Sequence, residues 1–162
     1  MGRITNVPAA PPTKPQLLTS VSRTIANASV DVEGNLQLDG QVLTSERIRV
    51  LIDAYLLERN FENAPSIVAG GSDGGDCHYL GGGPLKTSEP IIVDIFPMDK
   101  QTLYNGDCTR TVVHGEIPNE IIRMHLAVVE AKAAAIAIAK EGVTGEAVHF
   151  ETLRVLLDAG YK

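Results

Sequence analysis

The sequence predicts an α+β fold, with antiparallel strands in the middle of the chain and the longest helices after them. Three observations carry that expectation. Asn35–Leu43 alternates apolar and polar residues around Asp39-Gly40, a short hairpin signal. The strand-like runs Ile91–Phe96 and Leu103–Val113 lie too close together for a crossover helix, so they pair antiparallel. Two helical runs, Pro118–Lys140 and Thr144–Ala159, close the chain and are segregated from the strands.

The first fifteen residues hold four of the chain's prolines in Pro8, Pro11, Pro12 and Pro15, and read as an extended linker (residues 1–15) before a domain spanning 16–162. A weak helical pattern follows from Gln16 to about Ser29 through Leu17, Leu18, Val21, Ile25 and Ala28. After the Asp-Gly hairpin, Thr44 caps a helix to about Asn60 with the stripe Ile48, Leu51, Ile52, Tyr55 and Leu56. Pro65–Gly70 is a short strand that enters the glycine-laden loop Gly70–Pro84. In the long helix, Ile121, Met124, Val128, Ala131 and Ala135 form the expected core stripe, and Gly142 ends it. Gly160 ends the last helix.

A length of 162 residues suits one domain of ordinary size, and 44% hydrophobic with 21% charged residues is globular composition. The net charge of −6, without blocks of like charge, argues against nucleic acid or an anionic membrane as partner. Tryptophan is absent, which removes the usual stacking platform for single strands. No apolar run approaches the ~18 residues of a membrane span. The start Met1–Asn6 has no apolar signal region. Cys77 and Cys108 cannot make a disulfide framework. Together these features lead to the expectation of a cytoplasmic protein with reduced thiols.

The chemistry concentrates in two acids. Asp94 interrupts the apolar run Ile91–Phe96, and Asp107 follows thirteen residues later. A run apolar on both faces suits a central strand covered on two sides, where a lone charge is costly. If the hairpin turns between Lys100 and Gln101, Asp94 lies directly opposite Asp107, with Cβ atoms about 5 Å apart. Two carboxylates at that separation repel by roughly 3 kcal/mol at an effective dielectric of 20. One of them then keeps a proton, or a cation sits between them. Alternatively, Asp94 ends its strand and Asp107 is a solvated turn residue. Thr109 and Thr111 share the face of Asp107 and are placed to hydrogen-bond the carboxylates, whereas Arg110 faces the other way.

Over roughly residues 42–162 the sequence resembles the pita-bread metallopeptidases, in their Xaa-Pro aminopeptidase and prolidase branch. The resemblance rests on Ser66–Gly71, Asp76-Cys77-His78-Tyr79, Ile91–Pro97 and Tyr104–Gly115, and above all on Asp94 combined with Asp107-x-Thr109-Arg110-Thr111. It implies a curved antiparallel sheet with flanking helices, the first half of such a domain. It also implies two divalent metal ions, manganese first and cobalt or zinc as alternatives, with Asp94 and Asp107 as metal ligands. His78 falls on a histidine that positions substrate and the tetrahedral intermediate, with Thr109 and Thr111 in support. The substrate would be a peptide, cleaved after its N-terminal residue and often before proline. The family's remaining ligands, a histidine in His-Gly-x-Gly-His and two glutamates, would lie beyond Lys162. The 162-residue chain alone is therefore expected to be inactive and a weak metal binder, needing a missing C-terminal half or a homodimeric partner. The two aspartates are slightly further apart than is usual in the family, so the turn Phe96–Thr102 is expected to be longer. Two rivals remain on the same fold: a non-catalytic binding module and a creatinase-like hydrolase with little dependence on metal.

Without the resemblance, His78 also reads as a surface loop histidine. His114 has the opposite parity to Asp107 and points away from it, and His125 and His149 fall on helix surfaces or in packing. The Gly70–Gly83 region has no Gly-Lys-Ser/Thr and opens no helix with Gly-x-Gly-x-x-Gly, so it is no phosphate cradle. Cys77 beside His78 is not expected to be an activated nucleophile, because adjacent residues of an extended chain point apart.

Overall fold

The computed structural model describes residues 13–161, which fall into two compact units divided between Glu116 and Ile117. The expected linker at residues 1–15 lies largely outside the described residues, and helix α1 (Thr13–Ala26) already includes residues 13–15. Within the first unit come α1, β1 (Ser29–Val30), β2 (Leu36–Leu38), β3 (Gln41–Val42), α2 (Ser45–Leu57), β4 (Phe61–Asn63), β5 (Ile67–Gly70), a 3-10 turn at Gly71–Gly75, β6 (Pro90–Ile95), β7 (Pro97–Asp99) and β8 (Cys108–Val113). All strand pairs are antiparallel, in three ladders: β1-β2-β3, β4-β7 and β5-β6-β8.

The β2–β3 hairpin forms where Asp-Gly stands, with φ of 55° at Asp39 and 72° at Gly40, the left-handed pair that a tight hairpin turn demands. Thr44 caps α2 by accepting from the Arg47 amide at 3.3 Å. Ile48, Ile52 and Leu56 of its expected stripe are buried, whereas Leu51 is exposed. Leu17, Leu18, Val21 and Ile25 of α1 join them in one core with Val68, Leu85, Ile91, Val93 and Ile95. That core takes the odd-numbered residues of β6. The burial of β6 alternates strictly, so it is not the strand covered on both sides that its apolar composition suggests. Its even face carries Ile92 and Asp94, both only partly buried.

In the second unit, α3 (Asn119–Ile138) pairs with α4 (Gly145–Asp158). The stripe expected in α3 holds at Ala131, which is buried, and is corrected at Met124 and Val128, which are exposed; Ala127 is buried instead, and Ile121 and Ala135 are half-buried. Small side chains let two helix axes approach closely, so alanines rather than the larger residues mark the packed face. Thr144 caps α4 through the Ala147 amide at 3.2 Å, and Gly160 ends it at φ 88°. Among the described residues, no helix is long and apolar enough to cross a membrane.

Candidate metal-binding face of the central sheet

The ladder fixes where the two acids sit. Asp94 pairs with Ile67 on one side and Thr109 on the other. The β6–β8 register runs from Pro90↔Val113 to Ile95↔Cys108 and continues through the bridge Met98↔Asn105. In that register Asp107 falls opposite Phe96. The directly opposed pair of acids is therefore a misreading by two residues. The turn is centred one residue later than symmetry suggested, because Asp99 organises it. The Asp99 carboxylate accepts from the amides of Gln101 and Thr102 at 2.8 and 3.1 Å, and Leu103 closes the loop at φ 59°. The expectation of a longer turn at Phe96–Thr102 also changes. Pro97–Asp99 is strand rather than turn, and it pairs with β4, an element that the sequence reading did not anticipate.

The slip by two preserves the essential parity. Residues two apart on a strand share a face, so Thr109 and Thr111 stand on the side of Asp94, and Asp107, one residue before β8, falls on that side where the register is continued to Met98↔Asn105. The acids become diagonal neighbours, with Cβ atoms roughly 7 Å apart rather than 5. Thr109 occupies the position directly opposite Asp94 and donates to its Oδ1 at 2.6 Å. This face is open: Asp94 is partly exposed, and Thr109, Thr111 and Asp107 are exposed. Arg110 lies opposite Val93 on the other face and donates to the Thr109 carbonyl at 2.7 Å, so it is no counter-ion to the pair. His114 also stays away. Its Nδ1 meets the Thr87 hydroxyl at 2.9 Å and its Nε2 meets the Ala28 carbonyl at 3.0 Å, a structural tie between distant segments. His125 and His149 are exposed on α3 and α4.

His78 sits in the exposed loop after the 3-10 turn. The loop is bound to the sheet where the Val68 amide donates to the Leu80 carbonyl at 3.0 Å, and Gly81 at φ 76° passes so close that a Cβ there would collide with the Val68 carbonyl. Asp76 turns the chain: its Oδ1 accepts from the His78 amide at 2.9 Å and its carbonyl from the Tyr79 amide at 3.2 Å. This turn overturns the expectation that Cys77 and His78 point apart. Cys77 Sγ lies 3.6 Å from His78 Nδ1, and Asp76, Cys77 and His78 are the one group of three potential metal ligands that converges among the described residues. Sequence reading missed it by treating the loop as extended. The signal was there in Asp76 two residues before His78, the spacing of a side-chain-closed turn.

The oxygen ligands of Asp94 and Asp107 fit a divalent metal ion by chemistry and by sharing a face. They do not fit by number, since no third His, Cys, Asp or Glu gathers with them among the described residues.

Comparison with known proteins gives the family and the fold. The model of metallopeptidase family M24 matches residues 22–162. No curated protein matches. Among solved structures, the chain is similar to an X-Pro aminopeptidase from Thermotoga maritima MSB8, with TM-score 0.73 and 22% identity over 91% of this chain and 38% of that one. A dipeptidase from Mycobacterium ulcerans gives TM-score 0.70 and 23% identity over 90% of this chain and 36% of that one. A prolidase from Pyrococcus furiosus gives TM-score 0.70 and 16% identity over 90% and 41%. The α+β architecture is thus that of the pita-bread aminopeptidases, and the chain spans about two fifths or less of the length of these structures. With the family match running over all but the first 21 residues, the chain belongs to metallopeptidase family M24.

Proposed function

We propose that this chain contributes the first two metal ligands of a dinuclear aminopeptidase that releases the N-terminal residue of a peptide, preferentially before proline. The observation that carries the reading is the placement of Asp94, Asp107 and Thr109 on one open sheet face, inside a chain that the M24 family model matches. Asp94 and Asp107 are the metal-holding residues, with manganese the first choice for hard carboxylate oxygens and cobalt or zinc the alternatives. When bound, such ions would acidify a water and polarise the scissile carbonyl. The Thr109 hydroxyl aims one oxygen of Asp94, leaving the other to an ion. Thr111 stands two residues further along the same face as a second support. His78 holds the substrate and the oxygen that becomes negative as the carbonyl is attacked.

Two acids do not complete a two-metal centre. These 162 residues alone therefore bind metal weakly and do not turn over, and the remaining ligands come from outside them, in a C-terminal half or a second subunit. The free cysteines fit a reducing cytoplasmic setting. The test is release of the N-terminal residue from Xaa-Pro peptides by a full-length domain carrying this chain, with manganese and with chelator. Metal-restored turnover that Asp94→Asn and Asp107→Asn each abolish is the expected result. Turnover indifferent to chelator would point to a creatinase-like hydrolase, and a folded domain that binds no manganese to a binding module. Either result overturns the peptidase reading.

A further inference from the structure

We propose that Cys77 is a positioning residue for His78: its thiol donates to Nδ1, fixes the ring, and leaves Nε2 as the N–H offered to the substrate oxygen. The proposal rests on the role given to His78 above and deepens it. Cys77 Sγ lies 3.6 Å from His78 Nδ1, within the longer reach of a sulfur hydrogen bond. Two successive side chains meet in this way because the chain turns between them. Asp76 Oδ1 accepts from the His78 amide at 2.9 Å, and its carbonyl accepts from the Tyr79 amide at 3.2 Å. Just beyond, the Leu80 carbonyl accepts from the Val68 amide at 3.0 Å and from Arg49 at 2.6 Å, which pins the loop to β5 and α2. These ties hold the backbone of His78 but leave its ring free to rotate about the side-chain bonds. Among the described residues, Cys77 is the one hydrogen-bond partner of that ring.

The tautomer follows from that contact. A neutral imidazole has one N–H and one accepting nitrogen, and the bond made by one nitrogen settles the state of the other. Thiol sulfur is a weak acceptor, whereas the bare imidazole nitrogen is a good one, so the better pairing has S–H donating to Nδ1. Nε2 then carries the ring proton. An N–H facing the carbonyl oxygen stabilises charge there, and a bare nitrogen would repel it. The gain grows as the oxygen becomes negative, so it is read in kcat rather than in KM. In this role Cys77 forms no covalent bond and acts only through His78.

The experiment uses the full-length domain carrying this chain, under reducing conditions, with isotopically labelled histidine and His78 assigned by the signal lost in His78→Gln. Without metal or substrate at neutral pH, nitrogen–proton spectra are expected to show Nε2 protonated and Nδ1 accepting, with the Nδ1 resonance moving in Cys77→Ala. With manganese and an Xaa-Pro peptide, Cys77→Ala is expected to lower kcat about five-fold, the rate equivalent of one modest hydrogen bond, and to leave KM within about two-fold. Cys77→Ser keeps a donor and should recover part of that loss. An Nδ1 resonance or a kcat indifferent to Cys77→Ala, a ring predominantly protonated at both nitrogens, or a Cys77→Ser variant no better than Cys77→Ala would each overturn the proposal. A wild-type domain without metal-dependent turnover overturns the peptidase reading and this role with it. Normal turnover beside an unchanged Nδ1 resonance overturns this role alone.

Discussion

Asp94 and Asp107 are held by a ladder, whereas Asp76, Cys77 and His78 are held by a single turn. In the sheet, Asp94 lies in β6 and Asp107 one residue before β8, and their mutual position depends on every rung between Pro90↔Val113 and Met98↔Asn105. In the loop, three consecutive residues converge because one carboxylate closes on the amide two residues later. The ladder places the two carboxylates rigidly, and it requires the whole sheet to be correct. The turn gives a local shape that needs only three consecutive residues, on a segment exposed to solvent.

The two regions meet at Gly81, so a change there disturbs both. A Cβ at Gly81 would strike the Val68 carbonyl, and φ is 76°, where an L side chain is strained. Val68 is a fully buried β5 residue opposite Val93. Gly81→Ala is expected to cost about 3 kcal/mol or more. For a chain of this size that lowers Tm by roughly 6–12 °C. Calorimetry checks the loss, and a Tm within a degree of wild type would show that the loop lifts off the sheet without consequence. In that case the loop and the ladder are independent bodies.

A smaller change should separate the regions. Thr109→Val keeps the β-branched shape on β8 and removes the donor to Asp94. Outer hydrogen bonds to metal ligands are typically worth about 10–100-fold in affinity. Manganese affinity of the full domain is therefore expected to fall by that factor, while its melting temperature stays close to that of the wild type. Manganese titration and calorimetry on the same variant make the comparison. A matching loss of stability would mean that the substitution disturbs the sheet, not the ligand.

Local signals were legible in the sequence; distances along the chain were not. The Asp39-Gly40 hairpin, the caps at Thr44 and Thr144 and the helix-ending Gly160 form as their residue types dictate. Each depends on neighbours a few positions away. The shared parity of Asp94, Thr109 and Thr111 was also readable, since a period of two survives any even slip of register. The slip itself was not readable by symmetry, because the turn centre is set by the Asp99 side chain and Leu103. The pairing of Pro97–Asp99 with Phe61–Asn63 joins segments some 36 residues apart, and nothing in either tripeptide announces the other. In the loop the miss was local: Asp76 was read only within the motif Asp76–Tyr79 and not as the acid that closes a turn on His78.

The smallest expected effect concerns how α2 tethers the far end of that loop. Arg49 donates to the Leu80 and Gly81 carbonyls at 2.6 and 3.1 Å and lies 3.5 Å from Glu46, whose Oε1 accepts from the Gly83 amide at 3.1 Å. The Thr44 hydroxyl, with the Glu46 and Gly83 amides and the Arg49 charge behind it, holds the Glu46 carboxyl below its ordinary value. A depressed folded pKa means that this tether is fully present above the ordinary glutamate value of about 4.3 and is lost as pH falls through the lower folded value. Glu46 is largely exposed, so the gain is screened and small. Glu46→Gln is therefore expected to flatten only the acid limb of the stability curve, and to speed amide exchange at Gly83 at neutral pH while leaving the β6–β8 amides as they were. An acid limb as steep as in the wild type would mean that the Arg49 contacts alone hold the loop to α2, and that the charge on Glu46 contributes nothing to placing that loop.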